Sequence, residues 1–379
     1  MKKILLATLE FPPTIGGIAS YVQQFAGALD PVDVIVYAPQ QRGDREFDAT
    51  QKYSVIRKNP LTLAIFWPRW IRAAFQFISI IKKQKIEVVL INHILPLGYA
   101  AWFAKKRKHI PYIIISHGTD IIYASRSKWK RKWVRKIVQD AEQVVFNSES
   151  LRRRFLERFP EFESKCTVMY PWPDVQFSLP PAPEKMETLR RTLALQGKKV
   201  ILSVGRLDEG KGFPHMIRAF ESILEREPHA VWIVVGDGPK REELLEQIQI
   251  RSLQNVTRYI GAVSHDELAI YYYLADAFVL LTHPDNGREE GLGLVFLEAA
   301  AAGLPIIAGK SGGVSEAVID GETGRVLDVF HEANKIVDAV CEILLHEDTA
   351  KKYGIAGKKR IEQIFNSKTQ LEKLKPWVG

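Results

Sequence analysis

The chain has 379 residues, 46% hydrophobic and 26% charged, enough apolar material for two ordinary domains, which excludes a disordered, collagenous or disulfide-framed protein. Its two cysteines, Cys166 and Cys341, lie far apart and in no metal-ligand spacing, which points to a reducing, cytosolic setting. The net charge of +9 sits wholly in residues 1–180, where 28 Lys+Arg face 15 Asp+Glu, so this half alone is expected to meet an anionic partner or surface.

The opening "MKKILLATLEFPP" reads as a buried first strand rather than a signal peptide, because its apolar run ends at Glu10 and Pro12 without a small-residue cleavage site. The runs "DVIVYA", "EVVLINH", "YIIISHG" and "QVVFNS" follow, alternating with amphipathic stretches, the rhythm of a parallel sheet with crossover helices. Residues 173–190, dense in proline, read as a linker. The rhythm then resumes in "KKVILSVG", "AVWIVVGDG", "AFVLLTH" and "PIIAG". The fold class is α/β, with two doubly wound, Rossmann-like domains: 1–172, and 191–360 beyond the linker. A charged helical segment, 361–379, is free to pack on either domain, and the N-terminal one is the expected choice. No apolar stretch approaches the ~18 residues that cross a bilayer.

Ligands of doubly wound sheets bind beyond the carboxyl ends of strands. The stretch "SVGRLDEGKGF" occupies such a place and matches G-x-x-x-x-G-K from Gly205 to Lys211, a phosphate loop up to its last position. That position is Gly212, without the hydroxyl that ligates Mg²⁺ in a triphosphatase. Arg206 and Lys211 remain, two cations before a helix N-terminus, suited to hold a diphosphate without metal; two solvated surface cations would satisfy the same pattern. Further on, "REEGLGLVFLEAAAAGLP" places Glu290 and Glu298 seven residues apart in the sense E-x7-E, with Gly291 and Gly293 exposing backbone N–H groups at a helix mouth. A carboxylate suits a diol, each oxygen taking one donor.

Together these residues resemble the E-x7-E retaining glycosyltransferases of GT-B fold, family 4 in the carbohydrate-enzyme classification. The resemblance covers nearly the whole chain: "PPTIGGIASYV" is similar to the family's N-terminal glycine loop, "GRLDEGKGF" to its diphosphate clamp, "SHGTD" to its active-site histidine turn and "SGGVSEAVIDGETGRVL" to its closing segment. Within the family the chain looks most like the phosphatidylinositol mannosyltransferases of actinobacteria. The resemblance implies two domains facing a cleft. It implies that Arg206 and Lys211 stabilise the departing diphosphate and that Gly16 and Gly17 close over the same phosphates. His117 would lie near the donor sugar, with Asp120 helping to orient the turn. Glu290 would bind sugar hydroxyls and Glu298 the ribose. Gly291, Leu292, Gly293 and Leu294 complete the donor set, with Val263 reading the base through backbone. Read alone, a tight turn at Gly16 and Gly17 and a structural His117 would fit equally.

Retention follows from the family, by front-face substitution in which the departing phosphate oxygen helps deprotonate the acceptor, since these motifs hold no obvious covalent nucleophile. The chain has no D-x-D triplet, and metal independence is expected, with no cofactor. GDP-mannose is the leading donor, a UDP-hexose the alternative, and a lipid-linked or glycan compound of the cell envelope the acceptor. The clusters "AKKRKH" (104–109), "RSKWKRKWVRK" (126–136) and "LRRRFLERF" (151–159), with Trp129 and Trp133 interleaved, resemble an interfacial surface for anionic lipids on the inner face of the cell membrane. A solvated basic helix with its tryptophans packed inward is the plainer alternative. Nucleic-acid binding would use the same charge but leaves the paired glutamates without a task, and a nonhydrolysing sugar-nucleotide epimerase shares the architecture without this clamp.

Overall fold

The short β-branched runs of each half are separated by amphipathic helical stretches, and parallel strands can be joined only by such crossovers. The computed structural model describes residues 2–62, 68–118 and 127–379. It divides into two units, Met1–Pro171 with Ser367–Gly379, and Trp172–Asn366.

The first unit holds β1 (Ile4–Ala7), β2 (Val34–Ala38), β3 (Ser54–Arg57), β4 (Val88–Asn92), β5 (Tyr112–Ser116), β6 (Gln143–Phe146) and β7 (Cys166–Val168). They form one parallel sheet in the order β3-β2-β1-β4-β5-β6-β7. The inner strands are buried along their whole length because helices cover both faces. Phe77 and Ile80 of the helix Ile71–Gln84, Ala101 of Leu97–Lys108 and Ile137 of Lys128–Asp140 supply part of that cover.

The second unit repeats the plan with β8 (Lys199–Val204), β9 (Ala230–Val235), β10 (Thr257–Gly261), β11 (Ala277–Leu280), β12 (Ile306–Gly309) and β13 (Gly324–Leu327), ordered β10-β9-β8-β11-β12-β13. In each sheet the strand order reverses once, between β1 and β4 and between β8 and β11. Those reversals are the topological switch points where such sheets take ligands.

Residues 173–190, read as a linker, are ordered and belong to the second unit. Asp174 caps a 3-10 turn, Val175–Ser178, by accepting from Gln176 N at 3.0 Å, and Phe177 is buried against Tyr272, ring centroids 5.4 Å apart. Pro183 then starts the helix Pro183–Thr192, where its missing N–H costs nothing. The C-terminal residues return to the first unit: Gln370 accepts from Tyr170 N at 2.9 Å, Lys373 Nζ donates to Val168 O at 2.9 Å, and Lys2 N donates to Val378 O at 2.9 Å. Among the described residues no helix is long and apolar enough to cross a membrane.

Candidate functional site

At the switch point of the second sheet, the loop after β8 carries Arg206, Asp208 and Lys211, and the loop after β11 carries Glu290. The two loops are tied by His283 N donating to Gly210 O at 3.0 Å. Gly212 closes the first loop and opens the helix Phe213–Arg226 with φ of +73°; a Cβ there would lie 1.8 Å from Leu281 O. A Ser or Thr therefore has no room, which is the physical reason the phosphate-loop pattern stops short.

Lys211 Nζ donates to the Glu290 carboxylate, both side chains being mostly buried, 23% and 18% exposed. Burial alone would discharge the lysine, but the adjacent carboxylate outweighs it and holds the Lys211 pKa above its usual value. Glu290 is fixed in turn by its own N–H donating to Ser311 Oγ at 3.1 Å and by Gly313 N donating to its carbonyl at 3.0 Å. Arg206, 71% exposed, lies 4.0 Å from Asp208 and projects a mobile-length cation from the same loop. Burial raises the Asp208 carboxyl against the pull of Lys211 and Arg206.

Gly291, Leu292, Gly293 and Leu294 lead into the helix Leu294–Ala302, with Gly293 as its N-cap. Leu292 points into the core at 2% exposure, so only its backbone is presented. Glu298 lies on that helix, 3% exposed, and accepts from the Tyr272 hydroxyl at 2.7 Å. Burial pushes its pKa up to about 7, the tyrosine bond working against this and Asp174 adding to it. Val263 lies two residues past β10, the edge strand two places from β8. Lys211 and Glu290 are thus in direct contact, Arg206 shares their loop, and Glu298 and Val263 have separate surroundings.

In the first unit Gly16 caps the helix Gly17–Gly27, whose first turn has no side-chain cap and no acidic residue, leaving its N-terminal amides to attract an anion. A Cβ at Gly16 or Gly17 would meet nothing within 4 Å, so the turn itself does not demand glycine there. His117, just beyond β5, is 9% exposed with both ring nitrogens engaged: Asn147 Nδ2 donates to Nδ1 at 2.8 Å, so Nε2–H donates to Asn92 Oδ1 at 2.9 Å. Burial, with His93 beside it, holds the ring well below the usual histidine range and uncharged. Asp120 lies outside the described residues.

On the same unit Trp129 and Trp133 of Lys128–Asp140 differ. Trp133 packs against Trp102 and Tyr99, centroids 5.4 and 5.3 Å away, with Lys136 Nζ 5.0 Å above it, whereas Trp129 is 48% exposed. Lys128, Arg131 and Lys132 are exposed beside it, and Phe75 is 61% exposed.

Sequence reasoning missed Asn92, His93, Asn147 and Tyr272. The first three follow or end strands of the first sheet, and that position was the available signal.

Two family models match the chain: glycosyl transferases group 1 over residues 185–360 and glycosyltransferase family 4 over residues 15–177. The GDP-mannose-dependent alpha-(1-6)-phosphatidylinositol monomannoside mannosyltransferase of Mycobacterium tuberculosis is 32% identical over 99% of this chain and 97% of its own. The corresponding enzyme for the monoacylated compound in Corynebacterium glutamicum is 29% identical over 98% and 97%. Among solved structures, a glycosyltransferase from Rickettsia africae aligns with a TM-score of 0.83 at 21% identity, covering 99% of this chain and 97% of that one. Anabaena HepE in complex with UDP aligns at 0.82 and 18% identity, over 99% and 98%.

Proposed function

The chain belongs to glycosyltransferase family 4 and is a glycosyltransferase of GT-B fold, and from this we propose that it transfers mannose from GDP-mannose, with retention and without metal, to a lipid-linked acceptor of the phosphatidylinositol mannoside kind. The observation that carries the donor and acceptor is the likeness, over 99% and 98% of the chain, to two enzymes named for that donor and that class of lipid.

Lys211 and Arg206 stand where a departing diphosphate needs positive charge. As the bond from the anomeric carbon to the phosphate oxygen breaks, its electron pair goes to that oxygen and the two cations stabilise it, a contribution on the order of several kcal/mol in a preorganised site. The acceptor oxygen bonds to the anomeric carbon from the same face, and its proton passes to the departing phosphate oxygen. The amides at Gly16 and Gly17 add positive potential for the phosphates. Glu290, held by Lys211 and Ser311, takes sugar hydroxyls, and Glu298, braced by Tyr272, takes the ribose diol; His117, locked between Asn92 and Asn147, orients the edge of the first sheet. The surface of Trp129, Lys128, Arg131 and Lys132 meets anionic lipid on the inner face of the membrane.

The test is transfer to a phosphatidylinositol monomannoside acceptor across GDP-mannose, UDP-glucose and UDP-N-acetylglucosamine, with EDTA present, followed by NMR of the product. GDP-mannose turnover insensitive to EDTA, giving an α-linkage, is the expected result. Preference for a UDP-sugar, a β-linked product or loss of activity in EDTA would each overturn the corresponding part.

A further inference from the structure

Glu10 and His93 stand on the two sides of the switch point of the first sheet, one beyond β1 and the other beyond β4, where open parallel sheets take ligands. His93 keeps a φ of +85°, a left-handed conformation that side-chain-bearing residues adopt at a cost and that clusters at functional positions. The surrounding structure holds it there: its N–H donates to Ile115 O at 2.9 Å, and its ring Nδ1 lies 2.7 Å from Asn92 O. A carbonyl only accepts, so Nδ1 carries a proton, and in the uncharged ring Nε2 presents a lone pair. Asn92 thereby fixes both histidines of this edge, His93 through its carbonyl and His117 through its side chain.

Nε2 of His93 faces Glu10 Oε1 at 4.0 Å, beyond hydrogen-bond range. Glu10 is anchored through its backbone: its N–H donates to Thr8 Oγ1 at 3.1 Å and its carbonyl accepts from the Thr8 hydroxyl at 2.8 Å. Its carboxylate is 45% exposed, while the His93 side chain is 9% exposed. Two hydrogen-bond acceptors are therefore held apart by a distance that suits neighbouring O–H donors. A phosphate or carboxylate, which only accepts, would be repelled from the same place.

We propose that Glu10 and His93 form the acceptor-reading pair of this unit, Oε1 and Nε2 each taking an O–H bond from adjacent hydroxyls of a hexose or cyclitol. The pair rests on the reading that the protein glycosylates a polyol headgroup, and sharpens it to a vicinal diol. Both are specificity-determining residues that touch the acceptor and not the donor.

The test uses the full chain with Glu10→Gln and His93→Asn, asparagine being the side chain that best tolerates the left-handed backbone. The acceptor is phosphatidylinositol monomannoside in mixed micelles, together with versions lacking single ring hydroxyls. Each variant is expected to raise the acceptor KM about tenfold or more, the size of one lost bond to a polar or charged partner, with GDP-mannose affinity by calorimetry within about twofold of wild type. One deoxy acceptor that weakens the wild type should cost Glu10→Gln nothing further. Unchanged acceptor KM in both variants, or deoxy effects that simply multiply with the substitution, would overturn the pair. If GDP-mannose does not bind the wild type, the donor reading fails instead. The pair is then judged from ¹⁵N-histidine spectra, in which the Nε2 signal missing from His93→Asn must shift when the acceptor is added; a stationary signal overturns it.

Discussion

The carboxyl edge of the second sheet is organised by charge, with Lys211 bonded to Glu290 and Arg206 and Asp208 on the same loop. The carboxyl edge of the first sheet is organised by neutral hydrogen bonds, with Asn92 and Asn147 clasping an uncharged His117 and the Asn92 carbonyl bracing His93. Both edges arise from the same strand order, so the difference lies in the side chains that the loops and strand ends carry, and under the proposed function it matches the ligand each edge takes. A leaving diphosphate is stabilised by fixed cations, whereas a neutral polyol is recognised by aligned donors and acceptors. Charge also tolerates longer distances than a hydrogen bond does, which explains why the second edge works from loops and the first from residues locked at strand ends.

The severest way to break this contrast is to disturb the backbone of the charged loop. Gly212→Ser would complete the phosphate-loop pattern, yet its Cβ would fall 1.8 Å from Leu281 O at a φ of +73°. The expected outcome is loss of the second unit's folding, or a destabilisation above about 4 kcal/mol, read as a separate calorimetric transition lowered by roughly 8 °C or more. A variant that melts like the wild type would show the loop to be pliable and the clamp not preorganised.

Next in size is the cation itself. Lys211→Ala removes the charge that the proposed mechanism sets against the leaving group and strands a mostly buried Glu290. We expect kcat for mannosyl transfer to fall about 10²- to 10³-fold, measured with GDP-mannose at saturation. A loss under tenfold would move the burden to Arg206.

Glu298 sharpens the contrast through pH. Its folded pKa is raised to about 7 from an ordinary 4.5, so between those values the folded state holds a proton that the unfolded chain has released. The stabilising contribution of the protonated form is complete below pH 4.5 and is lost as pH rises to about 7, a swing of roughly 3 kcal/mol. Glu298→Gln, which keeps an acceptor for Tyr272, should remove that slope, giving a second-unit stability that varies less between pH 5 and 8. A wild-type and variant pair with parallel pH profiles would contradict the burial of the carboxyl.

Much of this is legible in the sequence. The strands named from sequence are the inner ones, apolar throughout because both faces are covered. The four strands that were not named, β3, β7, β10 and β13, are the outer strands of the two sheets, and their residues are mostly half-buried, so they lack the continuous apolar run that marks a covered strand. The site divides the same way. Lys211, Glu290 and Glu298 belong to contiguous loop motifs whose glycines announce them. Asn92 and His93 are adjacent polar residues at the end of β4 and Asn147 is a single one after β6, and only strand pairing brings the two places together. Tyr272 sits in an unremarkable helix, and its bond to Glu298 follows from packing alone.

A smaller effect concerns the basic surface of the first unit. Arg131, Lys132 and Arg135 are all exposed, but Arg135 is bonded to Glu161 at 2.7 Å. Changing both to glutamine should weaken binding to vesicles containing phosphatidylserine by about thirtyfold, near 1 kcal/mol for each charge, and leave binding to phosphatidylcholine vesicles alone. Unchanged binding to both vesicles would mean that Trp129 and Phe75, not charge, hold the surface.

The least of the expected effects tests the neutral edge directly. Asn147→Ala removes the donor to His117 Nδ1 while leaving Asn92 on Nε2. One neutral hydrogen bond is worth about 1 kcal/mol, so kcat/KM for the acceptor should fall only about fivefold. The released Nδ1 regains a lone pair open to protonation, and the activity profile should acquire an acidic limb, because a charged His117 can no longer sit in the same clasp. The acidic limb is the decisive readout, since a merely structural asparagine would lower activity equally at every pH. A loss approaching that of Lys211→Ala would instead mean that the first edge carries charge during the reaction, and the division of labour between the two sheets would have to be drawn again.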